Sequence, residues 1–226
     1  MKSPQYQQLV TQNIDSTFVF QSGKPLQVQV PCFDDILGDK LTAFAPNTTG
    51  IPYEKGGQSR AMEIIKQLYD IGNLVEQMKS PIITATTFYA FAKTELGYRN
   101  IESDTKSVLD DIFDTALTIS TKGQLGKGNM DALMQGIGQL KQYIFSESYH
   151  IEKAVTHSAR AAYAATLIQT KGKKIQRFTD PMEIKDWNIA NQQYSKLNKL
   201  RKSNPEAFYY WYQALALLNL IEEIQP

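Results

Sequence analysis

Two charged side chains stand out by type and placement. Lys40 lies within Gly38-Asp39-Lys40-Leu41-Thr42-Ala43-Phe44-Ala45-Pro46, and Asp70 lies within Lys66-Gln67-Leu68-Tyr69-Asp70-Ile71. A lysine ammonium is a compact point charge suited to phosphate oxygens. An aspartate can orient that ammonium or an attacking hydroxyl. Such a couple is compatible with phosphate handling. On spacing alone, the favoured reading is a surface salt bridge between helices, worth little to stability.

Other clusters have plainer readings. Asp110-Asp111-Ile112-Phe113-Asp114 has the Asp-Asp-x-x-Asp spacing that lets helical carboxylates at i and i+4 hold Mg²⁺ against a diphosphate. No second acidic motif accompanies it, and carboxylates near a helix start suit the macrodipole, so a solvated acidic face is expected. His150 and His157 share a helix face but stand roughly 10 Å apart along it, too far for one metal ion. A structural or surface role is expected for both, and no metal ligands are assigned. Nothing places a histidine beside Cys32 for a nucleophilic pair, and Gly123 to Gly128 lacks the spacing and ending of a P-loop. Basic residues gather late, at Lys171, Lys173, Lys174 and Arg177 and again at Lys196, Lys199, Arg201 and Lys202. Lys173, Lys174, Arg177, Lys199 and Lys202 are therefore candidates for RNA phosphate contacts, with Tyr194 nearby to stack on a base. Solvated helix ends would use the same residues.

These side chains must be positioned by a chain of 226 residues, enough for one large domain or two small ones. The hydrophobic fraction of 42% can build a core, and a net charge of +1 gives no global pull toward nucleic acid or membrane. One cysteine, Cys32, excludes an internal disulfide and any multi-cysteine zinc site. The first thirty residues lack the pattern of a secretory signal, and no apolar run reaches membrane-spanning length. A cytoplasmic protein without membrane contact is expected, so the Asn47-Thr48-Thr49 sequon reads as loop chemistry.

Thr17-Phe18-Val19-Phe20 and Leu26-Gln27-Val28-Gln29-Val30 read as a β-hairpin or strand pair, with Leu26, Val28 and Val30 on one face. From residue 34 the periodicity is helical. Asp34 or Asp35 is placed to cap a helix running to Ala45, and Pro46 stops it. A long Gly/Pro/Thr loop, 47–57, is a candidate functional loop. Ser59 is placed to cap the next helix, and Pro81 begins another. Further helices are expected over 105–120, 130–147 and 148–169, the last two readable as one bent helix, and then over 181–202 and 205–224. The fold class is mainly α: a β element over 1–32, then a bundle of about seven helices over 33–226. The run Phe208-Tyr209-Tyr210-Trp211-Tyr212 places aromatics on every face of the last helix, which must be buried in the bundle or against a partner.

Over residues 26–76 the chain resembles the AbiEii/AbiGii nucleotidyltransferase toxins, components of abortive-infection and type IV toxin–antitoxin systems. The resemblance rests on Asp39-Lys40-Leu41 and Leu68-Tyr69-Asp70-Ile71. It implies the C-terminal helical portion of an enzyme whose polymerase-β-like domain moves a nucleotide from a nucleoside triphosphate, with Mg²⁺, onto an acceptor such as tRNA. Carried over by motif, Lys40 would contact the triphosphate with Lys66 close by, and Asp70 would complete the site. Many members have Arg-Asp where this chain has Lys66-Gln67, so one acidic group is lost. The Gly-Gly-Ser/Thr turn and Asp-x-Asp strand that supply the metal carboxylates do not precede Lys40, and Gly56-Gly57-Gln58-Ser59 comes after it. Nucleotidyl transfer depends on such carboxylates, so the chain is expected to be inactive alone. Its expected partners are a missing N-terminal nucleotidyltransferase half or an antitoxin, and tRNA. The alternative is a noncatalytic helical module that binds a protein or RNA.

Overall fold

A computed structural model describes residues 5–15, 22–100 and 102–221. The β element is an antiparallel pair, β1 (Leu9–Ile14) with β2 (Leu26–Pro31). The partner of β2 is therefore Leu9–Ile14, while the strand expected at 17–20 lies outside the described residues. The register sets Val10 opposite Val30, Gln12 opposite Val28 and Ile14 opposite Leu26. Alternation puts Thr11, Asn13, Gln27 and Gln29 on the other face, where Gln29 donates to Thr11 (2.7 Å) and Gln27 to Asn13 (3.3 Å). The apolar face is only half covered, and Leu26 is 68% exposed.

Eight α-helices follow among the described residues. The first, α1 (Phe33–Ala43), has Cys32 rather than an aspartate at its N-cap. Asp34 and Asp35 turn away from their own helix start. Asp34 accepts the backbone N–H groups of Lys79 (2.8 Å) and Ser80 (3.0 Å). Asp35 accepts those of Gln7 and Gln8, both at 2.8 Å, with the Thr87 hydroxyl. These carboxylates fix the chain entering β1 and the turn just before Pro81 around α1. The connection that follows α1 carries a small second hairpin, β3 (Glu54–Lys55) and β4 (Gln58–Ser59), whose Gly56 and Gly57 both take positive φ.

Helices α2 (Ala61–Gln77) and α3 (Pro81–Arg99) pack on α1. Arg60 takes the N-cap position of α2, and Ser59 contributes a single contact to the Ala61 N–H at 3.4 Å. Ser80 caps α3 through the Ile83 N–H, with Pro81 in the first turn. Gly38 lets α1 approach α3, since a Cβ there would lie 2.5 Å from the Thr84 carbonyl oxygen.

The centre of the bundle is α6 (Ile151–Thr170), buried on every side from Ala154 to Ile168. Its alanines and serine let α4 (Thr105–Ser120), α8 (Pro205–Leu217) and α2 crowd against it. Helix α5 (Met130–Leu140) packs on α2 at Gly136, whose missing Cβ would fall 2.3 Å from the Ala61 carbonyl oxygen. Helices α5 and α6 are separate. The chain leaves helical geometry after Leu140 to insert the wholly buried Tyr149, and α6 begins after an N-cap at His150.

The expected helix over 181–202 is instead two 3₁₀ segments, Pro181–Ile184 and Gln192–Lys199, followed by α7 (Leu200–Ser203). Tertiary contacts override the periodicity there. Asn198 grips the Ile189 backbone with both side-chain atoms (2.9 and 3.0 Å), and Trp187 stacks on Tyr209 and packs against Tyr212. The aromatics of α8 face inward, with Phe208 to Tyr212 no more than 5% exposed. Among the described residues no helix is long and apolar enough to cross a membrane.

Candidate functional site

Lys40 stands in the last turn of α1 and Asp70 in the middle of α2. Leu37, Leu41, Ile64, Ile65 and Leu68 are fully buried between the two helices and their neighbours, which fixes their mutual rotation. The remaining faces bring Lys40 Nζ to 2.8 Å from Asp70 Oδ2. The two side chains are 29% and 30% exposed, so the pair is reachable from solvent without being loose in it. Neither residue lines any of the cavities described below. Asp39, beside Lys40, accepts the Tyr6 hydroxyl at 3.0 Å, and burial holds its carboxyl above the usual range. Burial and the Asp39 charge together push the Tyr6 hydroxyl up to about 12. Lys66, one turn before Asp70 on α2, is exposed and makes no ion pair with a described residue.

The donors near this pair do not fit Mg²⁺. The nearby carboxylates of Asp70 and Asp39 are held by Lys40 and Tyr6, and no group of three His, Cys, Asp or Glu residues among the described residues could hold a metal ion. A hard divalent cation asks for several free oxygens converging on one point. What this arrangement can do is present an ammonium of fixed position, with Asp70 as its orienting partner.

The late basic residues divide between distant places. Lys173 and Lys174 border a cavity of about 310 Å³ beyond the C-terminus of α6, whereas Lys199 borders one of about 240 Å³ beside Glu152 at its start. The ends of a twenty-residue helix are roughly 30 Å apart. Arg177 is spent on structure, donating to the Met78 (2.6 Å) and Val75 (3.2 Å) carbonyls at the end of α2. Lys202 is exposed. Tyr194 is only 9% exposed and sits edge-on to Phe113, so its ring is not free to stack on a base.

Two arrangements escaped the sequence reading. Asp111, the middle member of the acidic run, points inward. It accepts from the Asn47 backbone (2.8 Å) and side chain (2.7 Å) and from the Thr48 hydroxyl (3.0 Å), pinning the sequon loop to α4. Burial raises its pKa despite these bonds. The second is an aromatic nest beside Asp70. His157 is wholly buried against Gly72, Tyr69 and Tyr149, and neither its ring nitrogens nor the Tyr149 hydroxyl have a partner among the described residues. Burial, with the charges of Arg160 and Lys153, lowers the His157 pKa to about 3. The only hint in the sequence was a lone histidine on an alanine-rich helix.

Comparison with known protein families, curated proteins and solved structures finds no significant match to this chain.

Proposed function

We propose that this chain is the helical portion of a nucleotidyltransferase of the AbiEii/AbiGii type, contributing Lys40 and Asp70 to a nucleoside triphosphate site completed by a separate catalytic unit. The observation that carries the reading is the half-open 2.8 Å pair between the two helices on which the resemblance rests. Lys40 offers its ammonium to the phosphates, Asp70 fixes its direction, and Lys66 adds a second positive charge one turn away. Mg²⁺ and its carboxylates belong to the catalytic unit, because the donor set here does not hold a hard cation. With α8 buried in the bundle, the contact surface for that unit is the β1–β2 hairpin, whose open apolar face borders a groove of about 530 Å³ lined by Val10, Val30, Phe33, Ile36 and Ile83. The acceptor in this reading is tRNA, reached through the exposed lysines.

The test is incubation of the purified chain with Mg²⁺, labelled nucleoside triphosphates and total tRNA, alone and with the product of any neighbouring frame encoding Gly-Gly-Ser/Thr and Asp-x-Asp segments. Labelling is expected only in the mixture. In that mixture Lys40→Ala should lower it by about a hundredfold or more, the scale of losing a phosphate-directed charge. Labelling by the chain alone, or full activity of Lys40→Ala, removes the proposal. A second reading, a noncatalytic module binding a protein or RNA, draws on the exposed hairpin face. It predicts complex formation without labelling in any combination.

A further inference from the structure

The outer edge of β2 has an internal symmetry that the nucleotidyltransferase reading does not use. From Pro25 to Pro31 the sequence is Pro-Leu-Gln-Val-Gln-Val-Pro, which reads nearly the same in both directions about Val28. Reversal exchanges proline with proline, glutamine with glutamine, and the aliphatic Leu26 with Val30. No residue of the run is charged, so no like charges would meet across it. Antiparallel strands bring side chains of one face opposite each other. A segment with such a centre is therefore complementary to a copy of itself under a two-fold rotation.

The hairpin also defines which backbone groups that edge offers. Cys32 donates its N–H to the Gln8 carbonyl at 2.9 Å, in line with the register of β1 on β2. Hydrogen-bonded and open pairs alternate along an antiparallel ladder. Leu26, Val28 and Val30 therefore turn their N–H and C=O groups toward β1, whereas Gln27, Gln29 and Pro31 turn theirs outward. No strand among the described residues lies on that side, and Gln27 and Gln29 are exposed.

We infer that the outer edge of β2 docks a second copy of itself, antiparallel about Val28, joining the two hairpins into one four-stranded sheet. Gln27 of each copy exchanges both backbone hydrogen bonds with Gln29 of the other, so every outward N–H and C=O of these glutamines is used. Pro25 and Pro31, which have no N–H to offer, oppose each other at the two ends. A slip of two residues sets a proline against a glutamine and leaves that glutamine's carbonyl without a donor. A slip of one sets the aliphatic face of one copy level with the amide face of the other.

The pairing also answers the exposure of the hairpin. Leu26, 68% exposed, gains Val30 of the second copy as its neighbour, and the apolar face becomes continuous across both hairpins. A lone strand pair is marginal in water, while a wider sheet with one apolar face is not. Because the strands run in opposite directions, the helical bundles that follow Pro31 leave from opposite ends of the sheet. The β1 edge fits a copy of itself less well, since the equivalent rotation about Gln12 lays the Asp15 carboxylate against Leu9. The pairing uses the edge of the hairpin rather than its grooved face, and it stands or falls apart from the nucleotidyltransferase role.

Sedimentation of the full chain tests the association, and cysteine crosslinking tests the register. One strand from each side makes a small interface, in the class below about 1,200 Å² that holds transient complexes. A reversible dimer with a dissociation constant on the order of 10–100 μM is expected, followed from about 1 to 200 μM. In a Cys32→Ser background, Val28→Cys should give a disulfide-linked dimer on mild oxidation. Residue 28 there meets its own copy in an open pair, with Cα atoms about 4.5 Å apart. Leu26→Cys alone and Val30→Cys alone should not crosslink, yet a mixture of the two should. Gln29→Pro removes an outward N–H that β1 does not use. It should weaken the dimer by about tenfold or more, the worth of two backbone hydrogen bonds, with the unfolding midpoint unchanged. A monomer across the whole range, a Gln12→Cys crosslink in place of the Val28→Cys one, or equal crosslinking of every single cysteine overturns the inference.

Discussion

At the scale of single residues, His157 carries a cost that the surrounding helices have to meet. Its ring is held neutral, with the pKa lowered from 6.5 to about 3, chiefly by burial. The unfolded chain therefore binds a proton below about pH 6.5 that the folded chain refuses. Stability is full above that pH and falls as pH drops toward 3, with a slope approaching about 1.4 kcal/mol per pH unit. Asp39 and Asp111, raised by burial, act with the opposite sign in the lower part of this window. The informative measurement is therefore the difference from His157→Phe, in which their contributions cancel. Urea denaturation of both proteins between pH 4 and 7 should show that difference narrowing or reversing as pH falls, with His157→Phe the flatter profile. Equal slopes would mean that the ring is solvated in the folded protein. The sequence could not disclose this site, because its members, Tyr69, Gly72, Tyr149 and His157, come from two helices and the loop before one of them. The Lys40–Asp70 contact was legible because its spacing already suggested a salt bridge between two helices.

At the scale of elements, proline and periodicity located some helix boundaries, whereas the caps expected at Asp34 or Asp35 and at Ser59 fall instead to Cys32 and Arg60. Pro81 begins α3, and Thr105–Ser120 coincides with the expected span. They failed where long-range partners decide. The 181–202 segment has helical composition, but Asn198 and Trp187 commit it to side-chain contacts that a continuous helix could not make. The aspartates at 34, 35 and 111 look like helix-start or metal residues, yet Asp34 and Asp35 accept backbone N–H groups of distant segments and Asp111 accepts from the Asn47 backbone and side chain and the Thr48 hydroxyl. Asp111→Ala should therefore release the 46–50 loop, and hydrogen exchange at Asn47 and Thr48 should accelerate well before global unfolding. The cost in stability should be about 1–3 kcal/mol, as for other buried donors left without an acceptor. Unchanged exchange at those amides would show that Arg99, which donates to the Thr48 and Gly50 carbonyls, holds the loop by itself.

At the scale of the whole molecule, α6 is an axle with lysines at both ends, and a net charge of +1 leaves no broad field to gather RNA between them. Any RNA affinity should therefore be the sum of two separated contributions. In filter binding, Lys173→Ala with Lys174→Ala, and Lys199→Ala with Lys202→Ala, should each reduce the slope of log K against log salt by about 1–2. The two losses should add, as for distant sites, and a slope insensitive to either pair would remove RNA from the list of partners. The hairpin poses a different problem of scale, one of concentration. Neither Leu9–Ile14 nor Leu26–Pro31 carries a charged side chain, and among the described residues each outer edge is unpaired. Charges on edge strands are what ordinarily stop one sheet from extending through another. Covering these two short strands should therefore raise the concentration at which the protein stays dispersed, whatever the strength of the helical core behind them.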